Sequence, residues 1–297
     1  MKLIGSYTNG NSRVCIYDDG TKIRETDDDE FNEVFPENID LKITNRCDMG
    51  CPMCHENSYE KGAHGDINAK FIETLRPYTE CALGGGNVLS HPDFIPLLKK
   101  LKEQKVIANI TLNQVHFMSN LDLIRELVNQ DLIRGIGVSL TDPTDEFIKT
   151  IQTFKNAVIH VINGVVTYGQ LERLADKDLK LLILGYKDFR RGVDYKQAAE
   201  NYIKANQINL KVYLKSFIPR FKVVSFDNLA IEQLDVRSLM SEEKWNEFYM
   251  GDDGCHTMYI DLVTGTFAKN SVAPLDQRYK LMDSIDEMFA KVKEMKS

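Results

Sequence analysis

The chain has 297 residues, 43% of them hydrophobic, a formal net charge of −7 and six cysteines. That length suits one large α/β domain with a smaller appendage and crowds out several independent domains. The acidic balance argues against a generic nucleic-acid surface, and no stretch is apolar for long enough to cross a bilayer. The start, Met1-Lys2-Leu3-Ile4-Gly5-Ser6, turns polar without a signal-peptide core.

In chain order, apolar and polar residues first alternate through Ser12-Arg13-Val14-Cys15-Ile16-Tyr17, turn at Asp18-Asp19-Gly20 and resume at Thr21-Lys22-Ile23. This predicts a β-hairpin acting as a lid or edge extension. Asp27-Asp28-Asp29-Glu30 reads as a solvated loop. From Ile39 onward short β-rich runs alternate with amphipathic helices, the pattern of βα units on a parallel sheet. Strands are expected near 39–44, 80–83, 106–112, 135–140, 157–162 and 179–184. The helices between them should be capped at Asp66 or Asn68, at Asp93, at Ser119, and at Thr144 or Asp145. Further on, the pattern predicts a helix over 194–206, a strand over 222–226, a hairpin over 258–267 and an amphipathic helix over 283–295.

Three of the six cysteines share the run Thr44-Asn45-Arg46-Cys47-Asp48-Met49-Gly50-Cys51-Pro52-Met53-Cys54-His55, while Cys15, Cys81 and Cys255 are scattered. That distribution is not a disulfide framework and suits a reducing compartment, taken here as the cytoplasm. Gly50 and Pro52 break helical geometry, so the three thiols belong to a loop wrapped around a metal rather than to one helix stripe. They fall one short of a closed tetrahedral zinc site or a fully ligated cubane cluster.

A Cys-x3-Cys-x2-Cys loop directly after a strand resembles the signature of the radical S-adenosylmethionine (radical SAM) enzymes. The resemblance implies a six-stranded parallel partial (βα)6 barrel over 39–190, with an N-terminal β-hairpin extension over 1–38 and a small α+β C-terminal extension over 191–297. It implies that Cys47, Cys51 and Cys54 hold a [4Fe-4S] cluster whose fourth iron is chelated by S-adenosylmethionine (SAM). Reductive cleavage of SAM would then give a 5'-deoxyadenosyl radical that takes hydrogen from a substrate, with flavodoxin or ferredoxin as electron donor. Met53 stands where the family places an aromatic residue against the adenine, and its thioether can lie on a ring face. Ala82-Leu83-Gly84-Gly85-Gly86-Asn87 matches the family's Gly-Gly-Glu at Gly85 and Gly86 but replaces the acid with Asn87. That exchange loses a charge-assisted contact worth about 1.5 to 3 kcal/mol.

Asn113, Ser139 and Asn163 at later strand ends are candidate partners for the ribose or the methionyl carboxylate. Lys187, with Arg190 and Arg191 close behind, is a candidate for a carboxylate or phosphate, and a surface ion pair is an equal reading. His91 reads as structural, and His55 as facing substrate or nucleotide. Cys255 is the candidate catalytic side chain, beside His256, if the 258–267 hairpin caps the barrel mouth; the plainer reading is an incidental thiol. A single cysteine late in the chain leaves no room for a second protein-ligated cluster. Two alternatives stay open: a fold relative that has lost productive SAM cleavage, and a structural zinc module using His55, Cys255 or His256 as fourth ligand. The substrate, whether peptide, nucleotide or cofactor precursor, is not fixed by the sequence.

Overall fold

The computed structural model describes residues 1–295. Two sheets are present. The smaller is antiparallel and contains β1 (Leu3–Asn9), β2 (Ser12–Tyr17) and β3 (Lys22–Glu25). The larger has at its centre the six expected parallel strands in sequence order: β4 (Asn38–Thr44), β5 (Glu80–Gly85), β6 (Ile107–Asn113), β7 (Ile136–Ser139), β8 (Ala157–Ile162) and β9 (Lys180–Leu184). It does not stop at six. β10 (Val223–Phe226) extends it in parallel beyond β9, and β11 (Thr257–Asp261) pairs in parallel with the outer side of β4. β12 (Thr266–Ala268) and β13 (Tyr279–Lys280) continue antiparallel, giving ten strands in the order β10-β9-β8-β7-β6-β5-β4-β11-β12-β13.

Register explains the layering. Leu41 is level with Leu83, Leu83 with Ile110, Ile110 with Ile136, Val138 with Ile159 and Ile159 with Leu181, and all of these are buried. They face the helices α1 (Phe94–Glu103), α2 (Gln114–Ser119), α3 (Leu121–Asn129), α4 (Asp145–Ile151) and α5 (Tyr168–Leu174), whose Leu97, Leu101, Ile124, Leu127, Phe147 and Leu171 complete one continuous core. With a period of two, the intervening residues point to the other face. There β4 to β8 carry Asp40, Lys42, Asn109, Thr111, Asn113, Ser139 and His160, while Val158, Ile162, Leu182 and Leu184 make the β8–β9 part of the same face apolar. Later helices are α6 (Arg191–Ala198), α7 (Glu200–Phe217), α8 (Asn228–Leu234), α9 (Glu242–Phe248) and α10 (Ile285–Lys293).

Local departures have local causes. The helix expected from Asp66 or Asn68 is only a 3-10 turn over Lys70–Thr74, because Asp66 spends its carboxylate on the Asn68 amide and Pro77 follows closely. The helix expected from Ser119 starts earlier: Asn113 accepts from the Val115 amide at 2.8 Å and caps α2, and Asn120 then breaks the path before α3. Thr144 caps α4 through the Phe147 amide as expected, whereas Asp93 precedes α1 without a capping bond.

The N-terminal segment is a three-stranded sheet rather than a hairpin, and it is not a lid over the mouth. It sits under the amino-terminal ends of the barrel strands. Lys22 reaches Glu37 and Glu80, Arg24 grips Glu37 at 2.7 and 3.1 Å, Arg134 donates to the Tyr17 carbonyl, and Lys155 pairs with Asp18. The sheet therefore closes the foot of the barrel and leaves the carboxyl ends of the strands free.

Candidate metal and cofactor site

β4 ends at Thr44, and the cysteine loop starts two residues later. The loop is tied down before its thiols are reached. The Cys47 amide donates to the Tyr59 carbonyl at 2.9 Å and the Cys54 amide to the Cys51 carbonyl at 3.2 Å. From the loop after β5, the Gly86 amide donates to the Thr44 carbonyl at 2.8 Å and the Asn87 amide to the Arg46 carbonyl at 2.7 Å. A Cβ on Gly85 would lie 2.3 Å from the Thr44 oxygen and one on Gly86 2.2 Å from the Arg46 oxygen, and Gly85 has φ +104°. The glycines thus let the glycine loop seat directly on the cysteine loop.

All three thiols are free and half-buried. Burial pushes Cys47 and Cys51 up, and each feels the other cysteines of the loop, while Arg191 acts in the opposite sense on both. Among the described residues the three sulfurs do not converge within 4.8 Å of one another. A mononuclear zinc with Zn–S bonds of about 2.3 Å would hold its sulfurs about 3.8 Å apart. The Cys47 sulfur, Asp48 and His116 do fall within 4.8 Å, but there His116 Nε2 and Asp48 Oδ1 already pair at 2.6 Å and staple the loop to α2.

Downstream, Glu56 anchors the far end of the loop in a buried ionic network that sequence reading missed. Lys42 on β4 meets its carboxylate at 2.7 Å, and Tyr259 on β11 donates to it at 3.1 Å. His55 lies at 3.4 Å and Arg190 at 3.5 Å, and Arg190 also donates to the Glu56 carbonyl at 2.9 Å. Burial would raise Glu56, but contact with His55 and Lys42 outweighs it and holds the carboxyl well below its usual range. His55 is itself driven towards its neutral form by burial and by Lys187, so Lys42 is the permanent counter-charge. Lys42 also approaches Asp261 at 3.4 Å, and Arg278 stands 3.6 Å from the same oxygen. A lysine in phase with Asp40, between the buried aliphatics Leu41 and Ile43, was the available sequence signal.

The sequence-predicted partners divide. Met53 is half-buried in the loop. Asn87 turns its side-chain oxygen back to the Leu89 amide at 3.2 Å, capping its own short turn. Asn113 and Ser139 are level with each other, and Ser139 is level with His160 on the next strand. His160, which sequence reading passed over, lies against Gly137, where a Cβ would meet the ring at 2.2 Å. Asn163 is not at the lumen surface: it is 1% exposed and donates to Gln233 at 3.0 Å. His91 is structural as expected, bonded to the Gly65 carbonyl and the Asp93 amide. Lys187 makes no surface ion pair; it bonds Ser271 at 3.0 Å and approaches His55.

Cys255 is a correction. It precedes β11, whose first residue Thr257 is level with Asn38, and the neighbouring His256 carbonyl accepts the Glu37 amide. The thiol is exposed, and the 258–267 hairpin joins the large sheet beside β4 instead of standing apart from it as a cap. His256 pairs with Glu33 at 2.8 Å, and His55 faces Glu56.

A mainly parallel sheet with three free thiols after its first central strand and a glycine loop after the second defines an α/β protein with a thiol-bearing loop at the carboxyl ends of its strands. The sequence profile of the Radical SAM superfamily matches residues 41–229, more than half of the chain, and the chain belongs to that superfamily. Membership implies an enzyme that works with SAM and an iron-sulfur cluster. Three solved structures of SuiB from Streptococcus suis have a similar fold. The form bound to precursor peptide SuiA gives a TM-score of 0.57 at 16% identity, covering 86% of this chain and 65% of that one. The form bound to S-adenosylmethionine gives 0.55 at 14% over 84% and 64%, and SuiB alone gives 0.54 at 14% over 86% and 66%. At these identities the likeness is one of fold, and the chain spans just under two thirds of the length of the first two. No curated protein matches the chain.

Proposed function

We propose that Cys47, Cys51 and Cys54 hold a [4Fe-4S] cluster with one iron left to SAM, and that the enzyme removes a hydrogen atom from a substrate in the barrel lumen. The carrying observation is the set of three free, half-buried thiols on one loop pinned backbone to backbone to the glycine loop. Bound together, the cluster and SAM supply one-electron cleavage of the sulfonium and the hydrogen-abstracting power that follows. The chain's own residues do the positioning. The Gly86 and Asn87 amides fix the entry to the loop, and Glu56 with Lys42 and Tyr259 fixes its exit. Met53, Gly85, Gly86, Asn87, Asn113 and Ser139 surround the mouth and are the proposed contacts for SAM. Electrons come from a flavodoxin- or ferredoxin-type donor in a reducing, cytoplasmic setting. A peptide is the favoured substrate class, since a protein of similar fold has been solved with a precursor peptide.

Anaerobically reconstituted protein should hold about four irons and four sulfides and release 5'-deoxyadenosine from SAM with dithionite, and Cys51→Ala should do neither. Well-loaded protein that forms no 5'-deoxyadenosine would sink this reading. A second reading, a cluster kept but SAM cleavage impaired, is favoured by the Asn87 side chain being engaged in its own turn.

A further inference from the structure

We infer that Asp40 is a specificity-determining residue whose carboxylate receives the cationic side chain of a lysine or arginine in a peptide substrate. The inference rests on the function proposed above and names the class of peptide. Asp40 lies inside the sheet, flanked by β5 and β11 and, along its own strand, by the buried Ile39 and Leu41. A period of two turns its side chain to the face away from the helices, and there it is exposed. Exposure at such a position requires open space on that face. The next strand leaves it: Ala82 is level with Asp40 and Gly84 with Lys42, and a Cβ on Gly84 would meet no atom within 4 Å. Between the glycine loop and Asp40, β5 thus presents only a methyl and a hydrogen, which gives a guest side chain room to pass. Asp40 stands four residues, or about 13 Å, before Thr44 at the loop end of β4. The space is also enclosed. Asp253 accepts from Asn228, just past β10, and from Asn270, just past β12, which joins the two margins of the sheet. Burial, ahead of any neighbouring charge, pushes the Asp40 carboxyl up.

The polar groups around Asp40 are committed elsewhere. Tyr259, level with it on β11, gives its hydroxyl to Glu56, and Lys42 gives its ammonium to the same carboxylate. Asn109, level with Ala82, donates to Glu80 at 3.2 Å and accepts the Gly135 amide at 2.7 Å. Lys187, the cation with the largest effect on Asp40, bonds Ser271 at 3.0 Å. The acidic groups acting on it are satisfied as well, Asp227 by the Gly185 and Ala230 amides and Asp253 by its two asparagines. Among the described residues Asp40 makes no hydrogen bond and no ion pair. An enclosed carboxylate without a partner costs free energy that an entering ammonium or guanidinium recovers. A neutral or acidic side chain leaves it unpaired, so the same residue discriminates.

The test is equilibrium dialysis of three pentapeptides, with lysine, arginine or norleucine between pairs of glycines, against reconstituted, SAM-loaded wild type, Asp40→Asn and Asp40→Glu. Wild type should bind the two basic peptides about tenfold more tightly than the norleucine peptide. Asp40→Asn should bind all three alike, and Asp40→Glu should keep a preference of about threefold. Asp40→Asn is close to isosteric and removes an unpaired charge, so its urea midpoint should not fall below wild type; if it does not fold, Asp40→Ser decides on the same criterion. Equal binding of the three peptides by wild type overturns the inference, as does no binding of the basic ones at about 1 mM. So does a preference that survives in Asp40→Asn, or a loss of SAM affinity in that variant, which would assign the carboxylate to the ammonium of SAM. Wild type that holds no cluster or forms no 5'-deoxyadenosine sinks the function beneath and the inference with it, an outcome distinct from a working enzyme without the preference.

Discussion

Asn87 shows how one side chain can be committed to two tasks. Its oxygen caps the turn after β5, so an ammonium placed there would compete with the Leu89 amide for a neutral acceptor. Asn87→Glu supplies a charged one. SAM binding to the reconstituted protein, measured by equilibrium dialysis, should tighten about tenfold, and an unchanged affinity would remove Asn87 from the SAM site. Lys42 is a different case, since it is 3% exposed and faces two carboxylates, Glu56 and Asp261. Lys42→Met removes the closest cation from Glu56 and leaves Asp261 with Arg278 at 3.6 Å, and should cost about 3 to 5 kcal/mol in denaturant unfolding. Adding Glu56→Gln should recover part of that loss. Full additivity of the two substitutions would show that the pair does not interact.

At the scale of elements, the contact between the cysteine loop and the glycine loop is made backbone to backbone. Gly86→Ala must move the Arg46 carbonyl, because its Cβ would otherwise stand 2.2 Å from that oxygen. A stability loss of about 1 to 3 kcal/mol is expected, together with a fall in iron content on reconstitution that exceeds what partial unfolding explains. Iron retained at wild-type stoichiometry would mean that the two loops need not be in register. The sequence made these elements visible for a plain reason. β4 to β7 alternate helix-facing aliphatics with smaller or polar residues, β8 and β9 are short and almost wholly aliphatic, and Gly50 and Pro52 exclude a helix through the cysteines. It could not show what the elements touch. The Glu56 anchor draws on Lys42, Tyr259 and Arg190, which are brought together only by the sheet, and the 258–267 hairpin reads the same whether it covers the mouth or extends the wall. Cys255 was misplaced for that reason. His160 was legible in principle as the one ionisable residue in Ala157-Val158-Ile159-His160-Val161-Ile162, in phase with Ser139 across the β7–β8 pair.

For the whole molecule, the lumen sets a dependence of stability on pH. Burial pushes His160 down to about 4 from an ordinary value of 6.5. Between those values the unfolded chain takes up a proton that the folded chain refuses. The stability tied to the neutral ring is thus fully present above about pH 6.5 and is lost as pH falls towards 4. Because the ring borders the open lumen, a loss of about 2 kcal/mol is expected rather than the full shift. Urea midpoints should drop between pH 7 and pH 5 in wild type and drop less in His160→Gln; identical slopes would show that another group titrates.

The two margins of the large sheet never share a ladder. Asp253 instead accepts from Asn228, just past β10, and from Asn270, just past β12, each at 2.8 Å, while Lys187 after β9 reaches Ser271. A wall stitched along one side by a few amide and ammonium contacts can widen there without unzipping a single strand pair. The sheet is in that sense a cuff with a lateral fastening, held at that side by side chains instead of by paired backbone.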